Sequence, residues 1–423
     1  MSASPGSPES AANSRPAQPA PTAPYLERGS RGYWHASIAL LFAGYATFSL
    51  LYYVQPLLPE FSDAFGVSPA QSSLSLSFAT AALALALAIF VAGFVSEGLS
   101  RHRLMTLSLT LSSLFTLAAA FVPHWHALLV LRALTGIALG GVPAVAMAYL
   151  AEEVHPDGLG LAMGLYVGGT AIGGMAGRVI TGVLAELFGW RIAVAGIGVL
   201  GLAAMLAFRA LLPPSRHFTP RRGLGLAHHR SALARHLRGR RELPVLFLMA
   251  FVLMGSFVTL YNYIGYRLLA PPYAMNQATI GAIFVVYLVG VFASPWSGRM
   301  ADSIGRGRVL ILGIVMMGLG VALTLLAPVA AIAAGIACMT FGFFAGHSVA
   351  SGWVGRLASQ GKGQAAALYL LSYYLGSSVI GSLGGHAWSA SGWGGVAALV
   401  GALLAVGLVA ASWLRSRERA GAA

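Results

Sequence analysis

Three residues that could bind or move charge lie inside long apolar stretches of the chain: Arg132, Arg178 and His347. At the helical rise, Arg132 lies about 9 Å and Arg178 about 15 Å from the nearer end of its stretch. Each guanidinium could bind an anionic or carboxylate-bearing ligand, or could instead donate to backbone carbonyls and hold two helices together. For Arg132 the two roles are balanced, and for Arg178 we favour the ligand. The unperturbed pKa of a histidine side chain is near neutral pH, so His347 is a candidate proton carrier, with a structural hydrogen bond as the alternative.

Polar aromatic and amide residues in three of the apolar stretches form a second set of candidates. They are Tyr52, Gln55, Asn262 and Tyr373. A tyrosine offers both an apolar ring and a hydroxyl group to a small organic ligand. We therefore expect these residues to contact a small-molecule substrate.

Signatures of catalysis do not occur in the sequence. It has no GxxxxGK[ST] phosphate-binding pattern, no HExxH zinc pattern and no GxSxG nucleophile pattern. The single cysteine, Cys338, permits neither a disulfide framework nor a CxxC metal site. We therefore expect a protein that is not an enzyme, holds no metal or cofactor, and is not driven directly by ATP.

The elements that must position these residues are predicted to be membrane-spanning helices. Of 423 residues, 57% are hydrophobic and 9% are charged, whereas about a quarter are charged in a soluble domain. Apolar runs of about 20 residues, enough to cross about 30 Å of hydrocarbon, recur along the chain. Twelve spans are predicted, at 35–58, 72–95, 104–122, 127–150, 159–185, 191–212, 244–269, 278–298, 309–328, 330–354, 364–388 and 393–414. The sequence therefore predicts an all-α integral membrane protein.

The basic residues predict how these spans are oriented. The formal net charge is +14, and the arginines gather between the sixth and seventh spans and in loops on the same side. By the positive-inside rule that side is the cytoplasm, and an even number of spans places both termini there. Topology and anionic lipid headgroups explain the excess charge, so no nucleic-acid partner is expected. The predicted divisions are a disordered cytoplasmic tail (1–33), an N-terminal bundle (34–212), a basic linker (213–243), a C-terminal bundle (244–414) and a cytoplasmic tail (415–423).

An internal repeat indicates that the two bundles are related. The segment GFVSEGLSRHR, starting at Gly93, reappears as GRMADSIGRGR, starting 205 residues later at Gly298. Seven residues between Gly160 and Trp190, including Leu-Tyr and Gly-Trp pairs, find identical partners 203 residues later. Two blocks thus agree on nearly the same offset. This predicts two pseudo-symmetric six-helix halves, an architecture that forms its substrate site between the halves.

The repeated loop resembles the hallmark GxxxD(R/K)xGR(R/K) motif of the major facilitator superfamily. The second copy fits it with Gly298, Asp302, Gly305, Arg306 and Arg308. The first copy retains Gly93, Arg101 and Arg103 but has Glu97 where the family has aspartate. The resemblance implies that these residues form a gate, in which the carboxylate and its basic neighbours clamp the two halves on the cytoplasmic side.

The rest of residues 34–414 supports the same resemblance. The fourth span carries LRALTGIALGG, which resembles the family's arginine motif, and the fifth carries GLYVGGTAIGGMAG, which resembles the glycine-rich exporter motif without its proline. The chain looks like the YnfM-type inner-membrane transporters of bacteria, an efflux-like branch. In this superfamily the first, seventh and eleventh helices line the central cavity, which implies that Tyr52, Asn262 and Tyr373 face substrate.

The resemblance implies a monomeric secondary active transporter in the bacterial inner membrane, which exports small molecules in exchange for protons by alternating access. Exporters of lipophilic cations generally use an intramembrane acid, and none of the twelve acidic residues lies at the centre of a predicted span. Uptake or uniport of a small organic anion, bound by Arg132 and Arg178, is therefore the alternative. A further alternative is a membrane sensor or scaffold that has the same fold and does not transport.

Overall fold

The computed structural model describes residues 25–91, 100–216, 241–358 and 362–420, and these residues form a helical bundle. The helices of the N-terminal half are α1 (Arg31–Tyr52), α2 (Leu58–Phe65), α3 (Pro69–Val91), α4 (Arg101–Ala119), α5 (Trp125–Leu139), α6 (Gly141–Glu153), α7 (Pro156–Phe188) and α8 (Trp190–Leu211). Those of the C-terminal half are α9 (Glu242–Leu269), α10 (Gln277–Ala282), the 3₁₀ turn η1 (Ile283–Tyr287), α11 (Leu288–Ile304), α12 (Arg306–Thr324), α13 (Val329–Leu357) and α14 (Lys362–Ala420).

Twelve membrane crossings are present in the described ranges, as the hydropathy pattern predicts. Nine helical stretches there are long and apolar enough to span a membrane, among them α5 with α6 and α10 with η1 and α11. The last stretch, Gln364–Ala420, supplies two crossings because the backbone leaves the helical conformation at Ser391 and Gly392. Gly392 has a φ of 57°, which glycine adopts without steric cost. The helices α3 and α4, rich in serine and threonine, complete the twelve.

The first crossing differs from its predicted form at both ends. Helix α1 begins at Arg31 and ends at Tyr52, and the separate helix α2 follows it, where one continuous span over 35–58 is predicted. Before α1, the backbone of Leu26 pairs with that of Val154 at the end of α6. This part of the predicted tail is therefore attached to the bundle. Residues 1–24 of the tail and residues 217–240 of the predicted linker lie outside the described ranges.

The two halves pack against each other through α3 with α14, through α7 with α10, η1 and α11, and through α2 with α9. Helices α7 and α10 approach each other closely, and a Cβ atom built on Gly182 would lie 2.7 Å from the Cα atom of Gly281. Both ends of the described chain lie on one face of the bundle, which we call the proximal face. The opposite face, where α2 and the start of α10 lie, is the distal face.

Candidate functional site

A cavity of about 330 Å³ lies between the two halves, near the middle of the long helices α7 and α13. Its N-terminal wall is formed by α1 and α7, and its C-terminal wall by α9, η1, α11, α13 and α14. The lining includes Tyr52, Arg178, His347 and Tyr373, four of the residues singled out in the sequence. It extends toward the proximal face as far as Ser351.

Arg178 closes the distal end of this cavity. Its side chain is 2% exposed, and its Nε atom donates to Oε1 of Gln55 over 2.6 Å while Nη1 donates to the carbonyl oxygen of Gly174 over 2.5 Å. A guanidinium carries more N–H donors than these two hydrogen bonds use. No aspartate or glutamate is among the described residues that line the cavity. Arg178 therefore brings a positive charge and spare donors to the end of a chamber whose described lining has no other Arg or Lys and no acidic residue.

Aromatic rings surround the guanidinium of Arg178. Its Cζ atom lies 4.6 Å from the ring centre of Tyr52, 4.9 Å from that of Phe284 and 4.7 Å from that of Tyr287. Such cation–π contacts offset part of the free-energy cost of removing the guanidinium charge from water. The rings of η1 come from the C-terminal half, so both halves hold this one arginine. The sequence analysis does not identify Phe284 and Tyr287 as site residues. The hydropathy of their segment does not indicate which of its aromatic rings contact an arginine more than 100 residues earlier in the chain.

Gln55 extends this contact into a direct bond between the halves. While its Oε1 accepts from Arg178, its Nε2 donates to Oδ1 of Asn262 over 2.7 Å. Gln55 and Asn262 are 207 residues apart in the sequence and belong to opposite halves. All three side chains are buried. Arg178, Gln55 and Asn262 thus form one hydrogen-bonded chain, which we call the central relay.

Further contacts join the halves between the central relay and the distal face. The backbone N–H of Gln277 donates to Glu186 over 2.8 Å, and the Gln277 side chain donates to the carbonyl oxygen of Pro56. The hydroxyl groups of Ser62 and Tyr266 hydrogen-bond over 2.7 Å. These layers close the cavity on its distal side.

Three carboxyl groups lie beside these distal contacts, two of them in α2 and one, Glu186, near the distal end of α7. Burial raises the pKa of Glu60 in α2 above its usual range, and the nearby charges of Glu186 and Asp63 raise it further. The charged form of Glu60 is therefore disfavoured by the packing of the distal face.

His347 lies in the C-terminal wall of the cavity among rings. Its Nδ1 atom hydrogen-bonds to the hydroxyl group of Tyr369 over 2.9 Å, and its ring stacks on Phe343 with an interplanar angle of 7°. The ring centre of Tyr373 lies 4.9 Å away. The structure thus brings two predicted site residues, His347 and Tyr373, into contact.

Arg132 is not among the described residues that line the cavity, and its contacts are with backbone carbonyl groups. It is fully buried, and it donates to the carbonyl oxygens of Ser75, Leu50 and Leu51 over 2.5 to 2.9 Å. These acceptors lie at the end of α1 and in α3, and the ring of Tyr53 covers the guanidinium. Of the two roles considered from the sequence, the contacts correspond to the structural one.

The loop motifs make contacts within each half. Asp302 lies 3.7 Å from the guanidinium of Arg306 and 3.6 Å from that of Arg356, all in the C-terminal half. Glu418, which the sequence analysis leaves at a chain end, accepts from the backbone N–H groups of Arg306 and Gly307 at the start of α12. Among the other motif residues, Gly298 and Gly305 lie at or near the end of α11, and Arg308 bonds to the Ile304 carbonyl.

In the N-terminal half, Arg101 forms a bidentate pair with Glu152 at 2.5 and 2.7 Å. The backbone of Arg103 bonds to Ser100 at the start of α4. Gly93 and Glu97 lie outside the described residues. Across the described ranges, no group of three or more His, Cys, Asp or Glu residues is arranged to hold a metal ion.

Comparisons with known proteins agree on the family. The sequence profile of the Major Facilitator Superfamily matches residues 36–271 and 246–423. The chain is 46% identical to an uncharacterized MFS-type transporter, YybF of Bacillus subtilis, over 92% of this chain and 96% of that protein. It is 45% identical to the inner membrane transport protein YnfM of Escherichia coli, over 94% of each chain.

A solved structure shows the same fold. The nucleoside transporter NupG superposes with a TM-score of 0.72 at 14% identity, covering 89% of this chain and 99% of that one. Together with the twelve crossings and the cavity between two repeated halves, these matches show that the chain belongs to the major facilitator superfamily and is a multi-pass membrane transport protein.

Proposed function

We propose that the protein is a secondary active transporter that carries a small organic anion through the central cavity by alternating access. The observation that carries this proposal is Arg178, a buried cation at the end of a cavity whose described lining includes no acid. A buried charge is costly unless it is paired. A carboxylate bound in the cavity would supply that pairing, whereas a cationic substrate would be repelled.

The arrangement of contacts supports a state that opens toward the proximal face. Hydrogen bonds between Gln55 and Asn262, and between Gln277 and Glu186, hold the halves together on the distal side. The positive-inside rule assigns the proximal face to the cytoplasm, so this is the state that loads or releases substrate inside the cell. Breaking the distal layers and closing the proximal side would then expose Arg178 to the other side of the membrane.

Proton-coupled export is the second candidate, and His347 favours it. Its imidazole lies in the wall of the same cavity, in contact with Tyr369 and Tyr373. If His347 binds a proton when the substrate leaves and releases it when the substrate binds, transport is coupled to a pH gradient. We propose His347 as the proton carrier and the cell inner membrane as the location, with the clamp of the loop motifs as the proximal gate.

Transport by purified protein in liposomes tests the proposal. The wild-type protein should exchange labelled carboxylates across the membrane, and Arg178→Gln should abolish this exchange. The matched control is Arg209→Gln, which removes one positive charge from an exposed position of α8. Equal exchange by the Arg178→Gln and wild-type proteins would contradict the assignment of Arg178.

The coupling and scaffold alternatives need separate measurements. An imposed pH gradient should drive uphill anion movement in the wild-type protein but not in His347→Gln, which should still exchange anions without a gradient. If coupling persists in His347→Gln, another group carries the proton. A cavity that never becomes accessible from the distal side, with no solute moved, would instead indicate a sensor or scaffold.

A further inference from the structure

The walls of the central cavity are unusually rich in rings on both sides. Phe48 and Tyr52 contribute from the N-terminal half, and Phe257, Tyr287, Phe343 and Tyr373 from the C-terminal half. The rings of Phe257 and Phe343 stack with centres 3.9 Å apart and an interplanar angle of 11°. This stacking turns ring edges toward the cavity, so a flat aromatic group that enters would meet the edge-to-face surroundings that an aromatic ring prefers.

A tyrosine whose hydroxyl group has no partner packs its ring against Arg178, the one Arg or Lys among the described residues that line this cavity. The hydroxyl oxygen of Tyr52 is buried and has no hydrogen-bond partner among the described residues. The ring that carries it lies 4.6 Å from Cζ of Arg178 and lines the cavity. A buried hydroxyl without a partner is unfavourable, so this donor is available to a ligand. A carboxylate has two oxygens, one for Arg178 and one for the Tyr52 hydroxyl.

The charge of the described lining limits the ligand to one negative charge. Arg178 is the permanent cation among the lining residues, and the remaining polar groups there are hydroxyl groups, the backbone and His347. A second carboxylate would lie among rings without a counter-charge, which burial penalises strongly. The volume of about 330 Å³ suits a ligand of one ring and a short polar group.

We infer that the substrate of this cavity is a small aromatic monocarboxylate, with its carboxylate between Arg178 and the Tyr52 hydroxyl and its ring between Phe257, Tyr287 and Phe343. This inference rests on the proposed transport of an anion and narrows its chemical class. Tyr52 is accordingly a specificity-determining residue, since its hydroxyl completes the carboxylate site that Arg178 begins.

Thermal unfolding of the purified full-length protein in detergent, titrated with four probes, tests this inference because a ligand stabilises the state that it binds. The probes are benzoate, cyclohexanecarboxylate, benzamide and isophthalate. Benzoate should bind about 2- to 10-fold more tightly than cyclohexanecarboxylate, which has the same charge without an aromatic ring. Benzamide, which lacks the charge, and isophthalate, which has two charges, should each bind at least about 10-fold more weakly than benzoate.

Variants assign the binding to the two side chains. Arg178→Gln should weaken benzoate binding by about 10- to 100-fold, and Tyr52→Phe, which keeps the ring and removes the hydroxyl, by about 2- to 10-fold. The control Arg209→Gln should bind benzoate as the wild-type protein does. Tyr52→Phe also provides a test if Arg178→Gln does not fold, because its shape is unchanged.

The outcomes separate this inference from the broader proposal. If cyclohexanecarboxylate or isophthalate binds as tightly as benzoate, and Arg178→Gln abolishes that binding, the aromatic monocarboxylate is overturned while anion binding at Arg178 stands. If no carboxylate stabilises the protein in an Arg178-dependent way and none is exchanged in liposomes, both are overturned. Unchanged benzoate binding in Tyr52→Phe would overturn the role of Tyr52.

Discussion

Replacing Gln55 with leucine removes the middle of the central relay and should release the distal side of the cavity. The variant loses a hydrogen bond from the Arg178 guanidinium and one to Asn262, whose Nδ2 atom already has no partner among the described residues. Only the bond to Asn262 joins the two halves, because Gln55 and Arg178 both belong to the N-terminal half. A neutral hydrogen bond contributes about 0.5 to 1.5 kcal/mol, so the closed distal side should be destabilised by about that amount.

That free energy predicts a measurable shift between the two states of the transporter. If the bond between Gln55 and Asn262 breaks when the distal side opens, about 0.5 to 1.5 kcal/mol corresponds to a population change of about 2- to 13-fold. The change can be followed at Thr181, one turn beyond Arg178 toward the distal face and fully buried in this state. In a Cys338→Ala background, Thr181→Cys should react faster with a membrane-impermeant thiol reagent when Gln55→Leu is also present.

The matched control is Gln71→Leu, because Gln71 is exposed and bonds only to Ser68 at the start of α3. It should leave the labelling rate of Thr181→Cys unchanged. Unaltered labelling in a Gln55→Leu protein that unfolds at the wild-type temperature would refute the reasoning, since the relay would then not hold the distal side closed.

Three further predictions concern the scaffold and the distal face. Arg132→Gln should lower the free energy of unfolding by about 3 kcal/mol or more, because three buried hydrogen bonds to carbonyl groups are lost. Thermal melts measure this effect, and a small change in melting temperature would show that the contacts are dispensable. Gly182→Ala should cost about 1 to 3 kcal/mol through the clash with Gly281, measured by the same melts, and an unchanged melting temperature would contradict this close approach. Because the pKa of Glu60 is raised in the folded state, the protein should gain stability as pH falls through that raised pKa, above the usual value of 4.5. Glu60→Gln should remove this pH dependence of the melting temperature between pH 4.5 and 7. The contribution of Glu60 to the free energy of unfolding should be below about 1 kcal/mol, because its side chain is partly exposed. If the variant keeps the pH dependence, other titratable groups cause it.

The fold could be predicted from local patterns in the sequence. A span is recognised from about 20 consecutive apolar residues, a property of each segment by itself. The repeat from Gly93 to Gly298 then predicts two related halves. The sequence does not predict the interruptions of the α-helix at Gly140 and at η1, because the residues at both places are as apolar as the rest of their spans.

The candidate site could be predicted in part. Sequence alone selects Arg178, Gln55 and His347 because polar groups within apolar stretches are rare and costly. It favours a ligand-binding role for Arg178 and leaves the ligand-binding and structural roles of Arg132 balanced. The structure separates them: carbonyl groups of α1 and α3 surround Arg132, while Arg178 meets rings of η1 and a cavity.

By itself, the sequence determined that the protein is an all-α membrane protein, how often the chain crosses the membrane, and that acidic residues are scarce within the crossings. Each of these properties follows from composition and from which residues are neighbours along the chain. Only the tertiary structure decided that Gln55 and Asn262 meet, that Tyr52 lies beside Arg178 with an unpartnered hydroxyl, and that Arg132 is held by the scaffold. The physical reason is that hydropathy depends on which residues a segment contains. A binding site depends on the direction in which each side chain leaves its helix and on which helices pack together.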